Sequence, residues 1–253
     1  MCMKQKHIMS NTLTTILLLL MCITTASAKG KRVLYIGDSI TDGAWGNSKV
    51  WNTPSEERNH TDMNHIYGHG YMMICASYYQ ATFPEEQYSF FNRGISGNTL
   101  DDMKSRWQKD AIDLDPDVIS ILIGTNDAAR YLQQKETFSA AEWEKDFRQL
   151  LCNTKAALPD VRIVLCTPFV AKVGKMKDSQ DYSERENIVR QMAESVKAIA
   201  RDFNAILIPF DEMFDELNAN APAETYWIWD GIHPTPAAHY RMSQLWIKTV
   251  GKL

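Results

Sequence analysis

Cysteine is scarce in this chain of 253 residues, and the five present are scattered at positions 2, 22, 75, 152 and 166. Such wide, uneven spacing supplies neither a disulfide framework nor a paired zinc knuckle. A Cys152–Cys166 bridge is left open, because spacing does not decide it. Basic runs are missing too: 27 Lys and Arg face 31 Asp and Glu, a formal net charge of −4. With no basic tract to follow phosphates, nucleic acid is not expected as a partner. No Pro-, Gly- or Ser-rich linker, internal repeat or low-complexity tract divides the chain. It also lacks the Gly-x-x-x-x-Gly-Lys-Ser/Thr loop of nucleotide hydrolases and the Gly-x-Ser-x-Gly elbow of the α/β-hydrolase fold. His65 and His69 have metal-ligand spacing, but Gly68 weakens a helix there and the glutamate of the zinc protease motif is absent. Neither a metal nor an organic cofactor is expected.

The apolar run from Leu13 to Ile23 is shorter than the about 20 residues that span a bilayer, so no transmembrane span is expected in the mature form. Lys4 and Lys6 precede it and Ala26-Ser27-Ala28 follows, the layout of a secretory signal peptide. Cleavage after Ala28 is expected, which assigns residues 1–28 to the signal and 29–253 to a single domain. Loss of Lys4 and Lys6 takes the formal charge from −4 to −6. The protein is then exported, to the periplasm or the medium. A lipoprotein processed at Cys22 fits less well, because Met21 is bulkier than that processing usually accepts.

Apolar, β-rich runs recur at 32–36, 88–91, 118–123, 162–166 and 205–209. Segments with helical apolar spacing lie between and after them, at 71–80, 99–110, 140–157, 183–203 and 236–250. This alternation predicts an α/β fold, a three-layer α/β/α sandwich around a parallel sheet buried on both faces. Two long connections, 41–70 and 169–181, each begin at the C-terminal end of a strand, the edge where open α/β sheets bind ligands.

Four short stretches sit at that edge. Gly37-Asp38-Ser39-Ile40-Thr41 follows the first strand, Asn92-Arg93-Gly94-Ile95-Ser96-Gly97 the second and Gly124-Thr125-Asn126-Asp127 the third, while Asp230-Gly231-Ile232-His233 precedes the last helix. Each has a plain reading in isolation: Ser39 as a helix cap, Gly97 as a turn residue, Asn126-Asp127 as a loop or cap, Asp230 as a turn former or helix cap and His233 as a surface histidine. Together they supply a hydroxyl, an imidazole to take its proton, a carboxylate three residues away to orient that imidazole, and two amide donors, Gly97 and Asn126, for a developing oxyanion. A flavodoxin-like strand order of 2-1-3-4-5 would put Gly97 and Asn126 on either side of Ser39. Trp45, Trp51, Tyr226, Trp227 and Trp229 fall in or beside the long connections. Such rings can stack on sugar faces or anchor a loop to the core, and Trp45, Trp227 and Trp229 are taken as candidate substrate contacts.

With all four stretches present in order, the mature chain resembles the SGNH hydrolases, the GDSL-type esterase and lipase superfamily, along essentially its whole length. The single departure in the name-giving motif is Ile40 in place of leucine. The resemblance implies Ser39 as nucleophile, Asp230 and His233 as the other catalytic pair, and an oxyanion hole of the Ser39 N–H, the Gly97 N–H and the Asn126 amide. It implies an exported serine esterase acting on short acyl esters, acetyl above all, of a small molecule or polysaccharide. A lysophospholipase or thioesterase would use the same groups with a long apolar channel. A non-catalytic glycan-binding module would keep the pocket without turnover.

Overall fold

Val33 and Tyr35 face one apolar core, Leu34 and Ile36 a second, and all four are fully buried. A strand without a solvent face has to lie between two covering layers. In the computed structural model, which describes residues 30–48 and 50–253, that strand is the second of a five-stranded parallel sheet ordered β2-β1-β3-β4-β5. The predicted fold class and strand order are both found. The expected signal peptide and Cys22 lie outside the described residues. Among those residues no helix is long and apolar enough to cross a membrane.

The elements run β1 (Arg32–Gly37), α1 (Ser39–Asp42), α2 (Tyr71–Thr82), β2 (Ser89–Gly94), α3 (Leu100–Ser105), α4 (Trp107–Asp110), β3 (Val118–Leu122), α5 (Thr125–Gln134), α6 (Ala140–Ala157), β4 (Arg162–Cys166), α7 (Tyr182–Asp202), β5 (Ile206–Ile208), α8 (Phe210–Ala219) and α9 (Pro236–Val250). Side chains of α2, α8 and α9 cover the face carrying Val33 and Tyr35; those of α3, α4, α6 and α7 cover the other.

Two boundaries differ from expectation. Asn92, Arg93 and Gly94 belong to β2 rather than following it. The helix expected over 99–110 is broken at Arg106. There the guanidinium turns under the sheet edge and donates to Gly37 O, Arg93 O, Asn98 Oδ1 and Asp110 Oδ2 at 2.8–3.2 Å. Helices α5 and α8 were not anticipated. Cys75, Cys152 and Cys166 are free thiols, Cys152 exposed on α6 and Cys166 buried in β4, so the bridge left open by the sequence does not form.

The register sets where the chemistry lies. Gly37, the last residue of β1, pairs with Gly94 at the end of β2 and with Leu122 at the end of β3. Three chain segments therefore leave the sheet at one level, side by side.

One polar pair is sealed inside the α2/α9 core. Ser120, in the middle of β3, accepts the indole N–H of Trp246 at 3.0 Å, and neither residue is exposed. Ser120→Ala would leave that N–H buried without a partner, a cost of about 1–3 kcal/mol. The expected result is a lower urea midpoint with an unchanged slope.

Candidate active site

Ser39 is the first residue of α1, where a backbone N–H has no intrahelical acceptor. Asp38 before it caps the helix, its carboxylate accepting the Ile40 N–H at 3.0 Å. The Ser39 hydroxyl therefore emerges from a tight strand-to-helix corner, and its Oγ lies 2.8 Å from His233 Nε2.

His233 and Asp230 sit in a loop between α8 and α9 that an isolated antiparallel bridge, Ile228 to Pro234, draws closed. Around that bridge the Trp229 N–H donates to His233 O at 3.1 Å and the Thr235 N–H to Trp227 O at 2.9 Å. Inside the loop Asp230 Oδ1 accepts the N–H groups of Ile232 and His233 at 3.0 and 2.8 Å, and Oδ2 lies 2.8 Å from His233 Nδ1. Burial alone would raise the Asp230 pKa, but the hydrogen bonds from the His233 N–H, the His233 ring and the Ile232 N–H outweigh it and hold the carboxyl below its usual range. An ionised Asp230 places the ring proton on Nδ1 and leaves Nε2 free to accept the serine proton.

The second long connection braces this loop. The Ala171 N–H donates to Gly231 O at 2.9 Å, and Gly174 packs so tightly that a Cβ there would lie 2.3 Å from Trp229 O.

The candidate oxyanion donors lie in the segments that follow β2 and β3, the two neighbours of β1. Gly97 has φ +81°, a conformation that favours glycine. Asn126 is in the first turn of α5, and its side-chain amide donates one N–H to Asn98 O at 3.2 Å, leaving a second N–H on the same nitrogen. The α5 N-terminus adds the positive end of its dipole.

Behind these groups stands a carboxylate that motif reading passed over. Asp42, at the end of α1, takes both terminal nitrogens of Arg58, at 2.5 and 3.1 Å. Its Oδ2 also accepts the Ser96 N–H at 2.9 Å and the Ser96 hydroxyl at 2.8 Å. Both charged side chains are almost fully buried. Asn92 makes a second clamp: its amide donates to Thr41 O, Asp42 O and Tyr67 O at 2.8–3.2 Å while its Oδ1 accepts the Gly94 N–H. The sequence signal available was a polar residue inside a buried strand, which in Asn92 calls for partners.

The three tryptophans taken as candidate contacts divide. Trp45 is fully buried, has the guanidiniums of Arg58 and Arg93 over its ring at 4.8 and 5.0 Å, and donates to Gly94 O. It anchors the first long connection and offers no face to a substrate, which corrects that expectation. Trp227 is half-buried against the α2/α9 core. Trp229 is 51% exposed, with its ring 6.1 Å from that of His233 and 25° from parallel. Trp51, 66% exposed, lies over Gly97.

The arrangement matches proteins already characterised as a group. The profile of the GDSL-like lipase/acylhydrolase family covers residues 35–241. The chain belongs to this family. As a GDSL-like acylhydrolase it is a carboxylic ester hydrolase, in keeping with the SGNH resemblance. It is 32% identical over 228 residues to an acetylxylan esterase of Geobacillus stearothermophilus, covering 88% of this chain and 94% of that one. The crystal structure of that esterase superposes with a TM-score of 0.71 at 29% identity, over 89% of this chain and 96% of that one. A putative GDSL-like lipase from Parabacteroides merdae superposes at 0.76 with 34% identity, over 88% of this chain and 96% of that one. A shorter match, 29% over 84 residues, covers 33% of this chain and 35% of an uncharacterized lipoprotein of Bacillus subtilis.

Two buried groups near the acylhydrolase site have displaced pKa values. Burial, followed by the nearby His233, holds the His239 imidazole down at about 4, and its Nδ1 accepts the Tyr71 N–H at the start of α2. Burial pushes Asp38 up to about 7; the carboxylates of Asp127 and Asp42 add to this, while the Ile40 N–H and His233 oppose it. An unfolded Asp38 would titrate near 3.8. As pH rises from about 4 to about 7, the unfolded chain releases this proton before the folded chain does, so the folded state loses stability. Asparagine caps a helix as well as aspartate does and carries no charge. Asp38→Asn is therefore expected to flatten the fall in urea midpoint between about pH 4 and about pH 7, measured against the unaltered protein.

Proposed function

We propose that this ester hydrolase is an exported serine esterase that removes short acyl groups, acetyl above all, from carbohydrates through an acyl-serine intermediate. The observation that carries the reading is the relay from Ser39 Oγ to His233 Nε2 and from His233 Nδ1 to Asp230, each step 2.8 Å.

In the first half-reaction Ser39 Oγ attacks the ester carbonyl carbon as Nε2 takes the hydroxyl proton. The Asp230 carboxylate stabilises the resulting imidazolium. Negative charge collects on the former carbonyl oxygen, next to the N–H groups of Ser39 and Gly97 and the Asn126 amide, each worth roughly 3 kcal/mol when pre-aimed. The C–O bond to the alcohol breaks and Nε2 returns the proton to the departing oxygen. Water, deprotonated by the same nitrogen, then releases the carboxylic acid and regenerates the serine.

Three observations support the finer parts of the reading. In the Geobacillus acetylxylan esterase, variants of a serine, an aspartate and a histidine are described as catalytic mutants, the last two being three positions apart like Asp230 and His233. Trp229 is an exposed ring 6.1 Å from the imidazole that would protonate the departing alcohol, a position from which it could meet an arriving sugar. Lys4, Lys6 and the apolar run to Ile23 support export.

Ser39→Ala is expected to abolish labelling by a fluorophosphonate and to lower kcat by about 10⁴-fold or more; Asp230→Asn is expected to lose about 10⁴-fold with the fold intact by circular dichroism. Acetate release from acetylated xylooligosaccharides should exceed hydrolysis of p-nitrophenyl decanoate. The reverse order would point to a lipid ester instead.

A further inference from the structure

Trp51 is exposed but not loose. The six-membered ring of its indole lies so close to Gly97 that a Cβ on that glycine would sit 2.1 Å from Cζ3 and 2.8 Å from Cη2. The turn beneath it is tied internally, with the Thr53 N–H and hydroxyl both donating to Val50 O at 3.1 and 2.7 Å. Thr53 O in turn accepts Arg58 Nε at 2.9 Å.

Arg58 is the arginine paired with Asp42, and Asp42 Oδ2 holds both the N–H and the hydroxyl of Ser96, the residue before Gly97. One buried ion pair thus fixes the turn that carries Trp51 and the segment that carries Gly97. The separation between indole and glycine is set by groups shielded from water, which hold their geometry better than an exposed loop would.

The tetrahedral intermediate has four directions to fill. One bond goes to Ser39 Oγ. The oxyanion turns to its donors, and the departing oxygen turns to Nε2 of His233, whose ring lies 6.1 Å from that of Trp229. The remaining substituent is the acyl chain. An indole lying on the glycine, with Trp229 already flanking the departing side, borders that last direction. We propose that Trp51 closes the acyl side of the cleft and restricts the enzyme to short acyl groups. This rests on the acyl-serine reading above and goes beyond it by naming the residue that sets chain length.

The test uses a series of p-nitrophenyl esters from acetate to octanoate, in which the departing group is constant, with the full-length protein and its Trp51→Ala and Trp51→Phe variants. Fluorophosphonate labelling of Ser39 and the thermal midpoint are followed in each. In Trp51→Ala the ratio of kcat/KM for hexanoate over acetate should rise at least about tenfold, the scale on which a pocket discriminates methylene groups. Trp51→Phe, which keeps a ring, should stay within about threefold of the unaltered ratio. If Ser39 is labelled in Trp51→Ala but the ratio does not move, Trp51 does not limit the acyl chain and the proposal fails alone. A change confined to glycosyl acetate relative to p-nitrophenyl acetate would put Trp51 on the alcohol side and also overturn it. Absence of labelling in the unaltered, folded protein would instead remove the acyl-serine reading itself.

Discussion

The level at which three strands end is the constraint on which the rest depends. Gly37 pairs with both Gly94 and Leu122, so Ser39, Gly97 and Asn126 leave the sheet within a few residues of one line. A parallel sheet buried on both faces holds that register firmly, since a slip by one residue would turn Val33 and Tyr35 into the core meant for Leu34 and Ile36. Ser39 and the proposed oxyanion donors thus inherit their spacing from backbone pairing. Only Asp230 and His233 come from outside the sheet, and a bridged loop supplies them with their own internal hydrogen bonds.

Around this frame the buried polar groups act as ties between segments. Asp42 joins the turn after β1 to the turn after β2 and to the long connection. Asn92 joins the turn after β1 to Tyr67, and Arg106 closes the ends of β1 and β2. Each would be costly if left unpaired, and each is paired. Breaking a buried ion pair such as Asp42–Arg58 strands a charge in low dielectric, a larger penalty than loss of a surface contact.

Much of this was legible because the pattern is local. Ser39, Asp230 and His233 stand in short motifs whose chemistry requires those residue types, and the apolar runs of β1, β3 and β4 announce a buried sheet. Helix α8 also carried a signal: Phe210, Met213, Phe214 and Leu217 follow the spacing of one helical face. Helix α5 was hidden because Thr125-Asn126-Asp127 reads as a turn or cap. The break at Arg106 was not legible, since its cause is a side chain reaching strand ends that only the fold brings near. The tryptophans show the same limit: Trp45, Trp51 and Trp229 lie in irregular segments without periodicity, so nothing in the sequence separates the ring that is swallowed from the two that face outward.

Asp42 has a consequence for anyone who would exchange surface segments among these enzymes. The connection from 43 to 70 is not a detachable module, because its Arg58 supplies the counter-charge for a carboxylate belonging to the sheet corner. A graft from a relative that lacks an arginine reaching this spot would leave Asp42 uncompensated three residues after Ser39, and the transplanted loop would arrive with Ser96 and Gly97 already out of place.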